Sequence, residues 1–301
     1  MSKYVLGVSL GASLGRDFDV TIEFLGEIVH IRRLGTDGNL QQYIDLLKAN
    51  DGKVDAIGFG GFDLWLWCNG RKYIWREPNR FLKYVKQTPV LDGSGLKNSL
   101  ERLTIQYLQK HRIVDFSHSN TLLVCAVDRF GMAEAIWDQG GPVIYGDLMF
   151  ALGIPIPIRS LPIMQTIARI LLPLIVQLPI KWLYPTGDKQ EEIRPKFGEQ
   201  YAWADVICGD AHYIRRHMPD DLSGKIIITN TTTVKDIDLF KTRGVKLIIT
   251  TTPSLGGRTP GTNIFEAMIV AVLGINPAIL TTADYKTALA QFGWEPNIIE
   301  L

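Results

Sequence analysis

Two stretches set chemically useful residues at suggestive spacings. In "VLDGSGLKNSLER", residues 90–102, Asp92, Lys97 and Asn98 surround two glycines at the start of a helix-like run. The first turn of a helix presents free N–H groups, and beside a lysine and an asparagine these suit an acid. The same letters also describe a plain helix start, with Ser94 near the cap and Lys97 in solvent. In "LLVCAVDRFGMAEA", residues 122–135, Ala126, Asp128 and Gly131 occupy the three places where a dinucleotide fingerprint carries glycine between a strand and a helix. Only the third glycine is kept. Arg129 is placed to meet a phosphate, and Asp147 follows the next strand-like segment, where a carboxylate holds ribose hydroxyls and disfavours a 2′-phosphate. Asp128 opposes this, because a carboxylate at a helix N-terminus takes the amides that a pyrophosphate needs and repels it. The turn is therefore either a nucleotide site or a strand-to-helix turn capped by Asp128.

Three further loops carry polar groups. "SLGASLGRD", residues 9–17, combines Ser9, Ser13 and Arg16 with small residues, the materials of an anion cradle or of a glycine-rich surface turn. Thr36, in a Thr-Asp-Gly turn, and Gly58 to Gly61 follow strand-like segments, and open α/β sheets collect ligands at the carboxyl ends of strands. "TTTPSLGGRTPGTN", residues 250–263, brings Thr251, Arg258 and Asn263 to another such end, although its prolines and glycines form a long turn unaided. The run of His212, Arg215, Arg216 and His217 after Asp210 reads as a solvated helix face. Three scattered cysteines and five histidines give no zinc spacing, so no metal is expected.

These loops need an alternating scaffold. Strand-like runs at 4–10, 20–31 and 54–59 alternate with helix-like runs at 40–49 and 96–109, and a second series has strands at 122–127, 142–146, 205–208, 225–230 and 246–251. The expected architecture is α/β: an N-terminal substrate domain over 1–117, then a Rossmann-like doubly wound parallel sheet over 118–301 with an apolar helical insert at about 153–185. With 46% hydrophobic residues among 301, the chain can fill two cores. Its 32 Lys and Arg nearly balance 31 Asp and Glu, which removes the field that attracts nucleic acid. No basic region leads into an apolar stretch at the start, and the dispersed cysteines fit a reducing compartment, so the expected location is the cytoplasm. The core of the insert, "SLPIMQTIARILLPLIVQLPIKWLYP", is broken by prolines and holds Arg169, which argues against a spanning helix. Its expected destinations are, in order, a subunit interface in a homo-oligomer, a lid over a ligand and a membrane surface.

Taken with "VDAIGFGGFDLWL" at 54–66, "YPTGDKQEE" at 184–192 and "ADVICGDAHYIRRHMP" at 204–219, these motifs resemble bacterial proteins of the quinate/shikimate 5-dehydrogenase-like group over nearly the whole chain. The resemblance implies a substrate domain preceding a Rossmann domain. It also implies NAD- or NADP-dependent oxidoreduction of a small hydroxylated carboxylic acid. Lys97 and Asp92 would then manage the hydroxyl proton, Ser9 and Ser13 would hold the carboxylate, and Asn230 with Thr231 would lie beside the cofactor. In a proton-transfer role Lys97 needs its pKa lowered by burial, with Asp92 tuning it. The alternative function is a non-redox binding or carrier protein for an apolar or amphiphilic molecule held against the insert.

Overall fold

The computed structural model describes residues 2–179, 192–254 and 259–301; residues 180–185 of the expected insert and Arg258 lie outside them. The first lobe contains β1 (Ser2–Ser9), β2 (Phe18–Phe24), β3 (Glu27–Gly35), α1 (Leu40–Asn50), β4 (Ala56–Gly60), the hairpin strands β5 (Trp65–Cys68) and β6 (Arg71–Ile74), α2 (Arg76–Asn79) and β7 (Val90–Leu91). Helix α3 (Ser94–Lys110) leads to β8 (Thr121–Leu123), α4 (Phe130–Trp137), β9 (Val143–Tyr145), α5 (Asp147–Phe150), α6 (Leu161–Ile175) and α7 (Gly198–Trp203). The chain continues through β10 (Val206–Cys208), α8 (Ala211–His217), β11 (Ile226–Thr229), α9 (Val234–Thr242), β12 (Leu247–Thr250), α10 (Thr262–Leu273), α11 (Thr282–Phe292) and β13 (Asn297–Glu300).

Two sheets result. One has the order β2-β3-β1-β4-β7 and is parallel except at the β2–β3 pair. That pair is the single run expected at 20–31: Leu25 and Gly26, both at positive φ, turn it back as a two-residue hairpin. The other has the order β13-β12-β11-β10-β8-β9, with only β13 antiparallel. Strands β8, β9, β10 and β12 are buried at every position. Alternate residues enter different cores: Leu123, Cys208 and Ile249 face a core shared with α4 and α6, while Leu122, Ile207 and Ile248 face one shared with α7, α8 and α9. From β8 the chain goes outward to β9, then crosses back to β10. The connections therefore diverge at the carboxyl ends of β8 and β10 and leave a crevice between them.

The lobes share elements. Helix α10 follows β12 in sequence but packs on the first sheet, where Ile264, Phe265 and Met268 join Val5, Ala56, Leu96 and Leu100 in one core. Its approach requires a glycine on β4, since a Cβ at Gly58 would stand 3.2 Å from the Ile264 Cα.

Candidate functional site

The crevice holds a buried cluster of charge. Asp63 follows β4, Lys97 and Glu101 lie one turn apart on α3, Asp128 and Arg129 follow β8, and Asp210 follows β10. Lys97 Nζ is 2.8 Å from Asp128 Oδ1 and 3.2 Å from Asp63 Oδ1. Arg129, 1% exposed, donates to Glu101 and, over 3.2 Å, to Asp210 Oδ2. Burial alone would drive the Lys97 ammonium to release its proton, but Asp128 and Asp63 outweigh it and hold the pKa above the ordinary lysine value. Burial likewise opposes ionisation of Asp128, yet Lys97 and Arg129 keep it below the usual carboxylate range. Asp63, desolvated and beside Asp128, is pushed well up. Glu101 is pushed up to about 7 by burial, against the pull of Arg129.

Two pockets border this cluster. The polar one, about 260 Å³ with its mouth included, is lined by Trp65, Trp67, Lys97, Asn98, Glu101 and Asp128 among others. The larger, about 740 Å³ on the same basis, is lined chiefly by apolar side chains, including Met164, Ile167, Leu171 and Ile175 from α6, with Asp128 and Asp147 at its polar end. Leu66 and Asp128 line both.

A family model described as "Domain of unknown function (DUF8754)" matches residues 95–301, and one described as "Domain of unknown function (DUF8753)" matches residues 4–92. The chain belongs to the DUF8754 family. No curated protein matches it. Solved structures similar to this DUF8754 chain include an ABC transporter solute-binding protein from Burkholderia multivorans, at 10% identity and TM-score 0.39 over 99% of this chain and 98% of that one. Another is a periplasmic solute-binding protein from Actinobacillus succinogenes with bound D-allose, at 10% identity and TM-score 0.38 over 99% and 97%. A third is a carbohydrate-transporter solute-binding protein from Agrobacterium radiobacter in complex with D-arabinose, at 10% identity and TM-score 0.35 over 99% and 94%.

These findings correct several expectations. The matches are solute-binding proteins of transporters, in place of the quinate/shikimate 5-dehydrogenase-like group, and one is named as periplasmic, in place of the expected cytoplasmic location. The expected NAD or NADP has no opening at the fingerprint turn. The amides of Ala126 and Val127 are already donated to the Asp147 carboxylate at 3.0 and 2.9 Å, so Asp147 closes the turn instead of reaching a ribose. Arg129 is enclosed by Glu101 and Asp210 instead of meeting a phosphate, Asp128 is held by Lys97, and Gly131 abuts Asn98. The dehydrogenase reading fails on its proton chemistry too. Lys97 is held protonated by two carboxylates, the reverse of what a general base requires. Asp92 bonds the Leu64 amide at 2.5 Å and both the amide and hydroxyl of Ser94, and is no hydrogen-bond partner of Lys97.

The remaining residues fall in three places. Asn98 lies in the polar pocket. Asn230 reaches Asp210 at 3.4 Å, while Thr231 bonds Thr259 and Thr251 is buried at the end of β12, its carbonyl accepting from the Trp294 indole at 3.0 Å. At the end of the first sheet, Ser13 is held by Asp37, Thr36 bonds the Ser9 carbonyl, Ser9 and Asn263 both flank Gly60, and Arg16 is half-buried within electrostatic reach of His212 and Asp236. Asp63, Glu101, Asp210, Trp65 and Trp67 escaped the sequence reading. A signal existed for one of them, because Glu101 stands four residues after Lys97 on the same helical face.

Proposed function

We propose that this protein binds a small amphiphilic molecule without redox chemistry, its apolar body beneath α6 and its polar head at the Lys97–Asp128 pair. One observation carries the reading: an apolar cavity and a polar pocket lie on either side of the same two residues, Leu66 and Asp128, which line both. Burying a saturated chain against Met164, Ile167, Leu171 and Ile175 gains about 25 cal/mol per Å² of apolar surface, whereas sugar hydroxyls placed there lose water without finding partners. The sugars bound by the transport proteins above are therefore the competing ligand class for the polar pocket alone. Thermal unfolding with octyl-chain amphiphiles, D-allose, D-arabinose, NAD and NADP separates the classes. An amphiphile at a hundred times its dissociation constant is expected to add about 2.7 kcal/mol of stability, and the sugars and nucleotides none. A shift with a sugar and none with any amphiphile overturns the reading.

A further inference from the structure

The polar pocket contains more than a paired lysine. Among the described residues, Glu101 Oε2 and Asn98 Oδ1 are buried without a hydrogen-bond partner, and both residues line this pocket. Glu101 is itself only 1% exposed, so its free oxygen is desolvated and uncompensated, a cost that a donating group would relieve. Both open atoms are acceptors, so a head group that fits them must donate. The surrounding charge narrows the class further. Lys97 is the one base among the residues lining the pocket, beside Glu101 and Asp128, and it is already engaged by Asp128 and Asp63. An incoming anion finds no unpaired cation on that wall. A cation finds an acceptor-lined pocket.

We infer that the head group of the bound amphiphile is a primary ammonium, donating to Glu101 Oε2 and Asn98 Oδ1 in the pocket between α3 and the β5–β6 hairpin; this rests on the amphiphile reading above. It also reverses the expectation of an acidic ligand at Lys97 and Asn98. Calorimetric titration of the full chain with octylamine, octanol and octanoate tests it. The amine is expected to bind at least tenfold more tightly than the alcohol, and the carboxylate most weakly. If the alcohol or the carboxylate binds as tightly as the amine, the ammonium assignment is overturned while the amphiphile reading stands; if none of the three binds, both fall. Glu101→Gln is expected to weaken the amine at least fivefold and the alcohol by less, so that the amine-to-alcohol ratio falls. Because Glu101 also supports the buried Arg129, Asn98→Asp provides a second variant that keeps that ion pair, and it is expected to raise the amine-to-alcohol ratio severalfold. An amine-to-alcohol ratio that neither substitution moves rules the assignment out.

Discussion

A Cβ built on Gly131 would stand 2.3 Å from the Asn98 carbonyl oxygen and 2.6 Å from its side-chain oxygen. The glycine that looks like the remnant of a nucleotide fingerprint therefore serves the approach of α4 to α3, where backbone oxygen cannot move aside as a flexible side chain would. Gly131→Ala is expected to force these helices apart and cost about 2 kcal/mol or more, read as a lowered urea midpoint. An unchanged midpoint would mean that the contact relaxes freely. Lys97, Asp128 and Arg129 were all legible as residues of interest, since charges beside glycines at strand ends attract attention. Their partners were not. Asp63 is 34 residues from Lys97 and Asp210 is 81 residues from Arg129, distances at which no spacing rule operates; the packing of α3 on β5 makes the first pair and the pairing of β8 with β10 the second.

Elements buried on both faces were the most legible. The runs that became β10, β11 and β12 are short, apolar and bounded by polar turns, so their positions follow from hydrophobicity alone. Exposed elements were harder to read. Strand β13 alternates half-buried and exposed residues at the sheet edge, and the β5–β6 hairpin, with its tryptophans and charges, carries no strand pattern strong enough to separate it from a loop. Helix α6 is informative because its two sides differ. Met164, Ala168 and Leu172 repeat every fourth residue and face the core, while Ile163, Ile170 and Leu174 are exposed. Ile167 stands between these faces, half-buried on the cavity wall. Ile167→Trp is expected to fill the cavity and weaken amphiphile binding at least tenfold, with a thermal midpoint within a few degrees of the wild type. Undiminished binding in a folded Ile167→Trp variant would remove the cavity from the proposed site.

At the scale of the whole molecule, the segment after β12 is fastened back onto the first lobe by a buried carboxylate as well as by apolar packing. Glu266 on α10 accepts from the Gly93 amide at 2.8 Å and the Tyr285 hydroxyl at 2.6 Å, and so fastens the start of α3 to α10 and α11. Burial, reinforced by Asp92, pushes its pKa up to about 7; burial raises Glu101 to about 7 and Asp147 to about 6. In the unfolded chain these groups titrate near 4, so the folded state binds their protons more tightly. The stability tied to those protons is complete below the unfolded values and is lost as pH rises through the folded ones. His217 acts in the opposite sense: burial lowers it to about 4, so its contribution is lost as pH falls from about 6.5 towards that value. These three carboxylates, with Asp63 pushed up beside them, outweigh His217 and His212, which burial also lowers, and leave the acids dominant between pH 5 and pH 8. The urea midpoint is therefore expected to be higher at pH 5.5 than at pH 8, with Glu266 alone accounting for about 2 kcal/mol of the difference. Glu266→Gln, which keeps the shape and removes the charge, is expected to flatten that dependence while lowering stability at pH 5.5, where one of the two donors loses its acceptor. If the variant keeps the full slope, the carboxylate between α3 and α10 is not the group whose ionisation strains that attachment.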